Sequence, residues 1–239
     1  MKLKIYKDKQ EVAEQFSEFL TKRIKRSNGQ LNISLSGGST PKIVFDHLAD
    51  NFSQLEWSKV NFFWGDERCV PPENEESNYK MTVDHLFSKI DVPEENIYRI
   101  KGENTPTGEA ATYGETLSKV LPVVNGVPEF DLIILGMGGD GHTASIFQSN
   151  IHLWDSHNNC EVAVHPDSGQ KRVTITGKVI NQAKEVVFLV TGADKKEKVA
   201  TILKGDEISK SYPAGLVNPS SGNLYWYLDE AAVDNSLVR

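Results

Sequence analysis

Strand-length apolar runs alternate with helix-period segments along almost the whole of this 239-residue chain, and that alternation narrows the folds open to it. Leu3 to Tyr6 reads as a short strand. Val12, Phe16, Phe19, Leu20 and Ile24 then recur at helical spacing. Leu31–Leu35 alternates as a strand does. Thr40-Pro41 supplies an N-cap residue and a first-turn proline for a helix over residues 42–49. Val60–Trp64 is strand again, followed by a polar loop through Asn78 and a helix to about Ile90. Further strands are expected at 96–100, 130–135, 161–165, 172–176, 185–191 and 224–228, with helices over 109–121 and 195–204 among them. Strands separated by helices imply βαβ units, hence an α/β fold whose mostly parallel sheet is covered on both faces. No Pro/Ser/Gly linker, internal repeat or low-complexity tract breaks the pattern, so residues 1–239 read as one domain.

Composition removes several classes of function. The formal charge of −7 does not suit a nucleic-acid surface, which needs a basic stripe to displace counterions. No apolar run approaches the roughly 20 residues that cross a bilayer. The N-terminal stretch MKLKIYKDKQ has no secretory h-region, and the two cysteines, Cys69 and Cys160, form no CxxC pair. A cytoplasmic protein without nucleic-acid or membrane partners is expected. An acidic protein still binds an anionic small molecule where a few cations converge.

In open α/β sheets ligands lie beyond the carboxyl ends of the strands, and three loops there stand out. The first, Ser36-Gly-Gly-Ser-Thr-Pro41, combines exposed backbone N–H groups, two hydroxyls and a following helix start. It fits a phosphate cradle formed by Gly37, Gly38, Ser39 and Thr40, and equally an ordinary capped turn; without a P-loop lysine it is not an NTP site. The second, Gly65-Asp-Glu-Arg-Cys-Val-Pro-Pro72, places Asp66 and Glu67 on opposite sides of an extended backbone, so they make a poor glycosidase-type pair. Arg68 fits bidentate phosphate binding or a plain ion pair with one of those acids.

The third loop is Gly136-Met-Gly-Gly-Asp-Gly-His-Thr-Ala-Ser145. Its glycines meet the GxGxxG spacing, but the acidic residue a dinucleotide site needs about 20 positions on is missing, and Asp140 would repel a pyrophosphate. Acid–base chemistry suits it better. Glycines on both sides allow a sharp turn, a histidine side chain is of the type that can take or give a proton in general acid–base work, and Asp140 can fix the tautomer of His142. The bland alternative makes His142 a cap on a following helix.

Elsewhere, His152, His157, Cys160 and His165 match no standard zinc spacing, His47 and His85 fall in helical patterns, and no G-x-S-x-G elbow indicates covalent catalysis. Arg172 and Lys195, beside late strands, either close on a phosphate or face solvent.

Taken in order, LSGGSTPK (35–42), FFWGDERCVPPENEESNYKM (62–81), DLIILGMGGDGHTASIF (131–147), RVTIT (172–176), TGADK (191–195) and the aromatic segment from Leu224 resemble the 6-phosphogluconolactonase family. The resemblance implies hydrolysis of 6-phospho-D-glucono-1,5-lactone in the oxidative pentose phosphate pathway, on a Rossmann-like three-layer α/β/α sandwich shared with glucosamine-6-phosphate deaminases. No metal or organic cofactor is implied. His142 would be the general base and Asp140 its orienting partner. Gly37, Gly38, Ser39, Thr40, Arg68, Asn78, Arg172 and Lys195 would hold the phosphate and lactone. One departure is local: Gln148-Ser149 stands where the family commonly has Pro-Gly. A deaminase would carry a carboxylate soon after the Asp-Gly-His turn, and here none precedes Asp155. A non-catalytic sugar-phosphate sensor on the same fold, and a dinucleotide oxidoreductase, are the other classes weighed. The oligomeric state, monomer or small homo-oligomer, stays open.

Overall fold

The computed structural model describes residues 1–234. Its strands are β1 (Lys2–Tyr6), β2 (Leu31–Leu35), β3 (Val60–Trp64), β4 (Asp66–Arg68), β5 (Val123–Val124), β6 (Val127–Pro128), β7 (Leu132–Leu135), β8 (Cys160–Val164), β9 (Lys171–Ile175), β10 (Val186–Val190) and β11 (Leu224–Asp229). Six of them form one parallel sheet in the order β1-β11-β10-β7-β2-β3. The α-helices are α1 (Lys9–Arg26), α2 (Ser39–Phe52), α3 (Asn78–His85), α4 (Pro106–Val120), α5 (Gly177–Gln182) and α6 (Lys196–Leu203).

Sequence pattern accounts for the layers. Every residue of β10, Val-Val-Phe-Leu-Val, is buried, as a strand covered on both faces requires. Along β11 successive side chains point to opposite faces. Tyr227 meets Phe16 of α1 edge-on at 5.5 Å, while Trp226 stacks on Phe188 at 4.0 Å on the other side. Asp8 opens α1 by accepting from the backbone N–H groups of Gln10 and Glu11, and the apolar stripe Val12, Phe16, Leu20 and Ile24 goes into the core. Such a stripe holds the helix by burial rather than propensity; each of these side chains contributes roughly 1.5–3 kcal/mol.

A second sheet, β4-β9-β8, is antiparallel and pairs Asp66 with Thr174 and Arg68 with Arg172. Chain order reverses between β2 and β7: β3 lies on one side of β2, and β7 with the later strands on the other. A crevice beyond the carboxyl ends of β2 and β7 follows from that arrangement.

Four local expectations are corrected. Residues 96–100 form no strand; a 3-10 turn at Glu94–Asn96 leads into a single bridge between Ile97 and Phe62. The helix after the polar loop ends at His85, and a separate 3-10 turn, Phe87–Lys89, follows. The N-cap of α2 is Gly38, at φ 109°, so Thr40 lies inside the helix; its hydroxyl sits 2.8 Å from that of Thr191 and ties α2 to the end of β10. No helix follows the 136–145 turn directly. The next element is the 3-10 segment Gln148–Asp155, which removes the helix-capping reading of His142.

Candidate active site

The loops after β2, β7 and β10 and the β4–β9 pair enclose a cavity of about 210 Å³. Every residue expected to act lines it except Asp140, which reaches it through His142: Gly37, Gly38, Ser39, Thr40, Arg68, Asn78, His142, Arg172 and Lys195 all do. Asp66 and Thr191 join them.

One wall is the start of α2. Gly38 needs its positive φ to turn β2 into that helix, and Gly37 permits a close approach: a Cβ there would lie 1.9 Å from Asn78 Oδ1. Asn78 is fixed in turn by its side-chain amide donating to the Asp66 carbonyl at 2.9 Å. Beneath it, Glu67, 3% exposed, accepts from the backbone N–H groups of Arg68, Asn78 and Tyr79, each at 2.8 Å, and from the Ser77 hydroxyl at 3.0 Å. Burial pushes the Glu67 carboxyl up, and those N–H donors pull it back without cancelling the rise. Glu67 therefore anchors the first turn of α3, where its charge also suits the helix dipole.

The facing wall is cationic. Arg68 and Arg172 are direct partners across β4 and β9, and like charges placed so repel. Burial, then the charge of Arg68, lowers the Arg172 guanidinium below its ordinary value. Among the described residues Arg68 forms no ion pair with Asp66 or Glu67, so its ion-pair reading fails: its Nη1 donates to the Glu76 carbonyl and its Nε is buried without a partner there, while Arg172 feels the opposing charges of Asp66, Glu76 and Glu67. Arg172 donates to Gln170 Oε1 at 3.2 Å and Ser145 Oγ at 3.4 Å. Lys195, at the end of the 3-10 turn Ala193–Lys195, holds its Nζ 2.8 Å from Asp194 Oδ2.

The third wall carries the titratable pair. Gly138 N–H donates to the His142 carbonyl and Gly141 N–H to the Gly138 carbonyl, both at 3.0 Å, closing a tight turn with Gly141 at φ 85°. His142 Nδ1 lies 2.6 Å from Asp140 Oδ1, which also accepts the His142 backbone N–H at 3.1 Å. Burial acts to raise the Asp140 carboxyl, but the hydrogen bond and charge of His142 outweigh it and bring the carboxyl down to about 2. Asp140 is thus ionised at neutral pH and accepts only, which assigns the Nδ1 proton to the neutral ring and leaves Nε2 as its free acceptor. Gly138 lies under this pair; Ala144 follows at φ 48°, a left-handed conformation costing about 1–3 kcal/mol in a non-glycine residue.

Three residues gain a place at the site only from the fold: Ser145 and Phe147, within the quoted motifs but given no role there, and Tyr212, outside them. Ser145 donates to Asp66 Oδ2 at 2.6 Å and so links the turn to β4. Phe147 packs at 4.5 Å from the His142 ring, 5.0 Å from His165 and 5.7 Å from the Arg172 guanidinium. Tyr212 lies on Gly141, where an added Cβ would come within 2.7 Å of its ring. Only proximity in the fold singles these out. Of the histidines set aside earlier, His165 accepts backbone N–H groups in the β8–β9 hairpin, and His85 pairs with Asp46 at 2.8 Å.

Known proteins resemble the chain over most of its length. Residues 7–226 match the family described as glucosamine-6-phosphate isomerases/6-phosphogluconolactonase. The chain is 41% identical to the 6-phosphogluconolactonase of Treponema pallidum, over 93% of this chain and 92% of that one. It is 47% identical to the Haemophilus influenzae 6-phosphogluconolactonase, over 86% and 88%. Among solved structures, the 6-phosphogluconolactonase of Trypanosoma brucei superposes with a TM-score of 0.84 at 30% identity, covering 97% of each chain. A monomeric glucosamine-6-phosphate deaminase superposes at 0.83 with 20% identity over the full length of both, a likeness of fold alone.

Proposed function

The chain belongs to the glucosamine-6-phosphate isomerase/6-phosphogluconolactonase family, and we propose how its cavity performs the reaction of its lactonase relatives. It hydrolyses 6-phospho-D-glucono-1,5-lactone to 6-phosphogluconate in the pentose phosphate pathway. The observation that carries the mechanism is a base and an anion site facing one cavity. The His142–Asp140 pair is closed at 2.6 Å, and the cross-strand arginines Arg68 and Arg172 line the same cavity without an ion pair between either of them and Asp66.

The phosphate lies against the cations. Arg68, Arg172 and Lys195 supply charge, and Gly37, Gly38, Ser39 and Thr40 supply the N–H groups and hydroxyls of the α2 start. An anion here relieves the Arg68–Arg172 repulsion, so part of its binding energy comes from strain already present in the free protein. Asn78, against Gly37, borders the lactone. With phosphate fixed, the C1 carbonyl is held near His142. Nε2 takes a proton from water as the oxygen bonds to C1, and Asp140 stabilises the imidazolium. Backbone N–H groups of the glycine turn face the developing oxyanion. The tetrahedral intermediate then breaks its bond to the ring oxygen, which takes the proton back from His142. A carboxylic acid and a hydroxyl result, the base is restored, and the acid releases its proton to solvent to give the carboxylate.

No helix among the described residues is long and apolar enough to cross a membrane; with a sugar-phosphate substrate, the cytoplasm is the compartment that fits. The test follows acid release from freshly generated lactone above its spontaneous rate, with ammonia release from glucosamine 6-phosphate in parallel. His142→Ala is expected to lower kcat by about 10²–10⁴-fold with KM little changed. A wild-type kcat in that variant would remove His142 from the mechanism.

A further inference from the structure

The 136–147 turn has no regular secondary structure, yet the chemistry asks its histidine to hold position to a fraction of an ångström. Some of that order is internal: Thr143 Oγ1 donates to the Gly136 carbonyl at 2.8 Å, and the Gly138–His142 turn closes on itself. The outer side of the turn is held by something else.

A strap from α6 to β11 crosses it. Ser209 N–H donates to Asp206 Oδ1 at 3.0 Å, Ser211 and Tyr212 close successive 3-10 turns, and the Pro213–Leu216 turn follows. Gly215 lets these turns nest, since a Cβ there would lie 2.0 Å from the Ser209 carbonyl oxygen. Three contacts join this strap to the turn. The Tyr212 ring covers Gly141, between Asp140 and His142. Ala214 N–H donates to the Gly141 carbonyl at 3.1 Å. Gln148, just past the turn, donates its side-chain amide to the Ser211 carbonyl at 3.1 Å. Tyr212 is itself held from outside, because Lys198 Nζ lies 4.2 Å from its ring centroid and 3.1 Å from its hydroxyl.

Gln148 belongs to the pair that departs from the common Pro-Gly. Proline stiffens a loop exit by fixing φ but offers no N–H; glutamine leaves φ free and reaches a carbonyl across the gap. We propose that Tyr212 and Gln148 are positioning residues for the reaction: the strap they fasten clamps the turn from outside and holds His142 and Asp140 in register with the anion site. Neither residue lines the cavity. Their effect is therefore on the chemical step and not on phosphate capture. The inference rests on His142 being the base.

The experiment measures kcat and KM on fresh 6-phosphogluconolactone, and inhibition by inorganic phosphate, for wild type, Tyr212→Phe, Tyr212→Ala, Gln148→Ala and the His142→Ala control. Tyr212→Ala should lower kcat about ten-fold with KM and phosphate inhibition unchanged, since sub-ångström misplacement alone costs that much. Tyr212→Phe keeps the ring on Gly141 and under Lys198 and should stay within about two-fold of wild type, because it loses only the hydrogen bond from Lys198 to the hydroxyl. Gln148, exposed and safe to truncate, should lose about three-fold in kcat alone, the worth of one exposed hydrogen bond. A His142→Ala loss together with wild-type kcat in both Tyr212→Ala and Gln148→Ala would overturn the clamp and leave the base assignment standing. A rise in KM at constant kcat would overturn it too, by placing the strap in substrate binding. Unchanged kcat in His142→Ala would overturn the base assignment, and the clamp with it.

Discussion

Gly138 offers the sharpest separation of catalysis from stability. A Cβ at this position would sit 2.2 Å from His142 Nδ1, 2.3 Å from Cε1 and 2.5 Å from Asp140 Oδ1, and so would fall into the hydrogen bond that orients the base. Real contacts do not go below 3.0 Å, so the ring must retreat by about 0.8 Å in Gly138→Ala, or the carboxylate must leave it. Both groups are the ends of partly exposed side chains and φ at Gly138 is not left-handed, so relief by rotation is cheap for the fold. Unfolding free energy should change by less than about 1 kcal/mol, a melting shift of a few degrees for a chain of this size. The reaction loses far more. A displacement near 1 Å costs about 10²-fold, close to 2.7 kcal/mol of barrier. With a pH-indicator assay on fresh lactone, corrected for the spontaneous rate, kcat should fall about 10²-fold at nearly constant KM. A kcat within two-fold of wild type at unchanged melting temperature would refute the claim that the 2.6 Å His142–Asp140 contact carries the chemistry.

Arg68→Ala removes one of the facing cations and should raise KM about ten-fold or more with a smaller change in kcat, and the dependence of KM on salt should flatten in parallel; saturation kinetics like wild type would count against its phosphate role. Glu67→Gln keeps one acceptor oxygen but turns an amide nitrogen toward Ser77 and the Tyr79 N–H, so the start of α3 should lose about 2 kcal/mol, read as a drop of roughly 4–8 °C in melting temperature. Asp140→Asn should lower kcat at least 10²-fold, because an amide can present N–H to Nδ1 and select the wrong tautomer. The same variant tests the linkage sign. The folded carboxyl lies at about 2, below its ordinary value of 3.8, so its contribution to stability is present above pH 4 and fades as pH falls toward 2. The gap in urea midpoint between wild type and Asp140→Asn should therefore narrow between pH 5 and pH 3, and a gap that widens would contradict it.

What the sequence made legible follows the reach of its signals. Central strands such as β10 and the stripe on α1 declare themselves through runs and periods that burial requires. Residues 96–100 misled for the same reason. Ile97, Tyr98 and Ile100 carry a strand's apolar content, but that content packs without a ladder, with Tyr98 stacked on Phe63 at 4.7 Å and its N–H donating to the Phe62 carbonyl. The short strand β4 was invisible, since three residues, Asp-Glu-Arg, hold no period.

The site divides along the same line. Glycine turns that aim Asp140 and His142 are local chemistry and can be read from a few adjacent letters. The pairing of Arg68 with Arg172 depends on an antiparallel register between distant segments, and that register sets the two cations side by side at the cavity. Repulsion between them is offset in the free protein by partial burial and by the charges of Asp66, Glu76 and Glu67, which act on Arg172 in the opposite sense. In the proposed mechanism a bound phosphate draws on a contact that would be a defect elsewhere in the fold. Tyr212 and Ser145 show the limit from the other side. Neither residue type suggests catalysis, and each matters only through the turn it touches. A clamp of this kind leaves no spacing to find, because its geometry lies in how the strap after α6 folds back over Gly141.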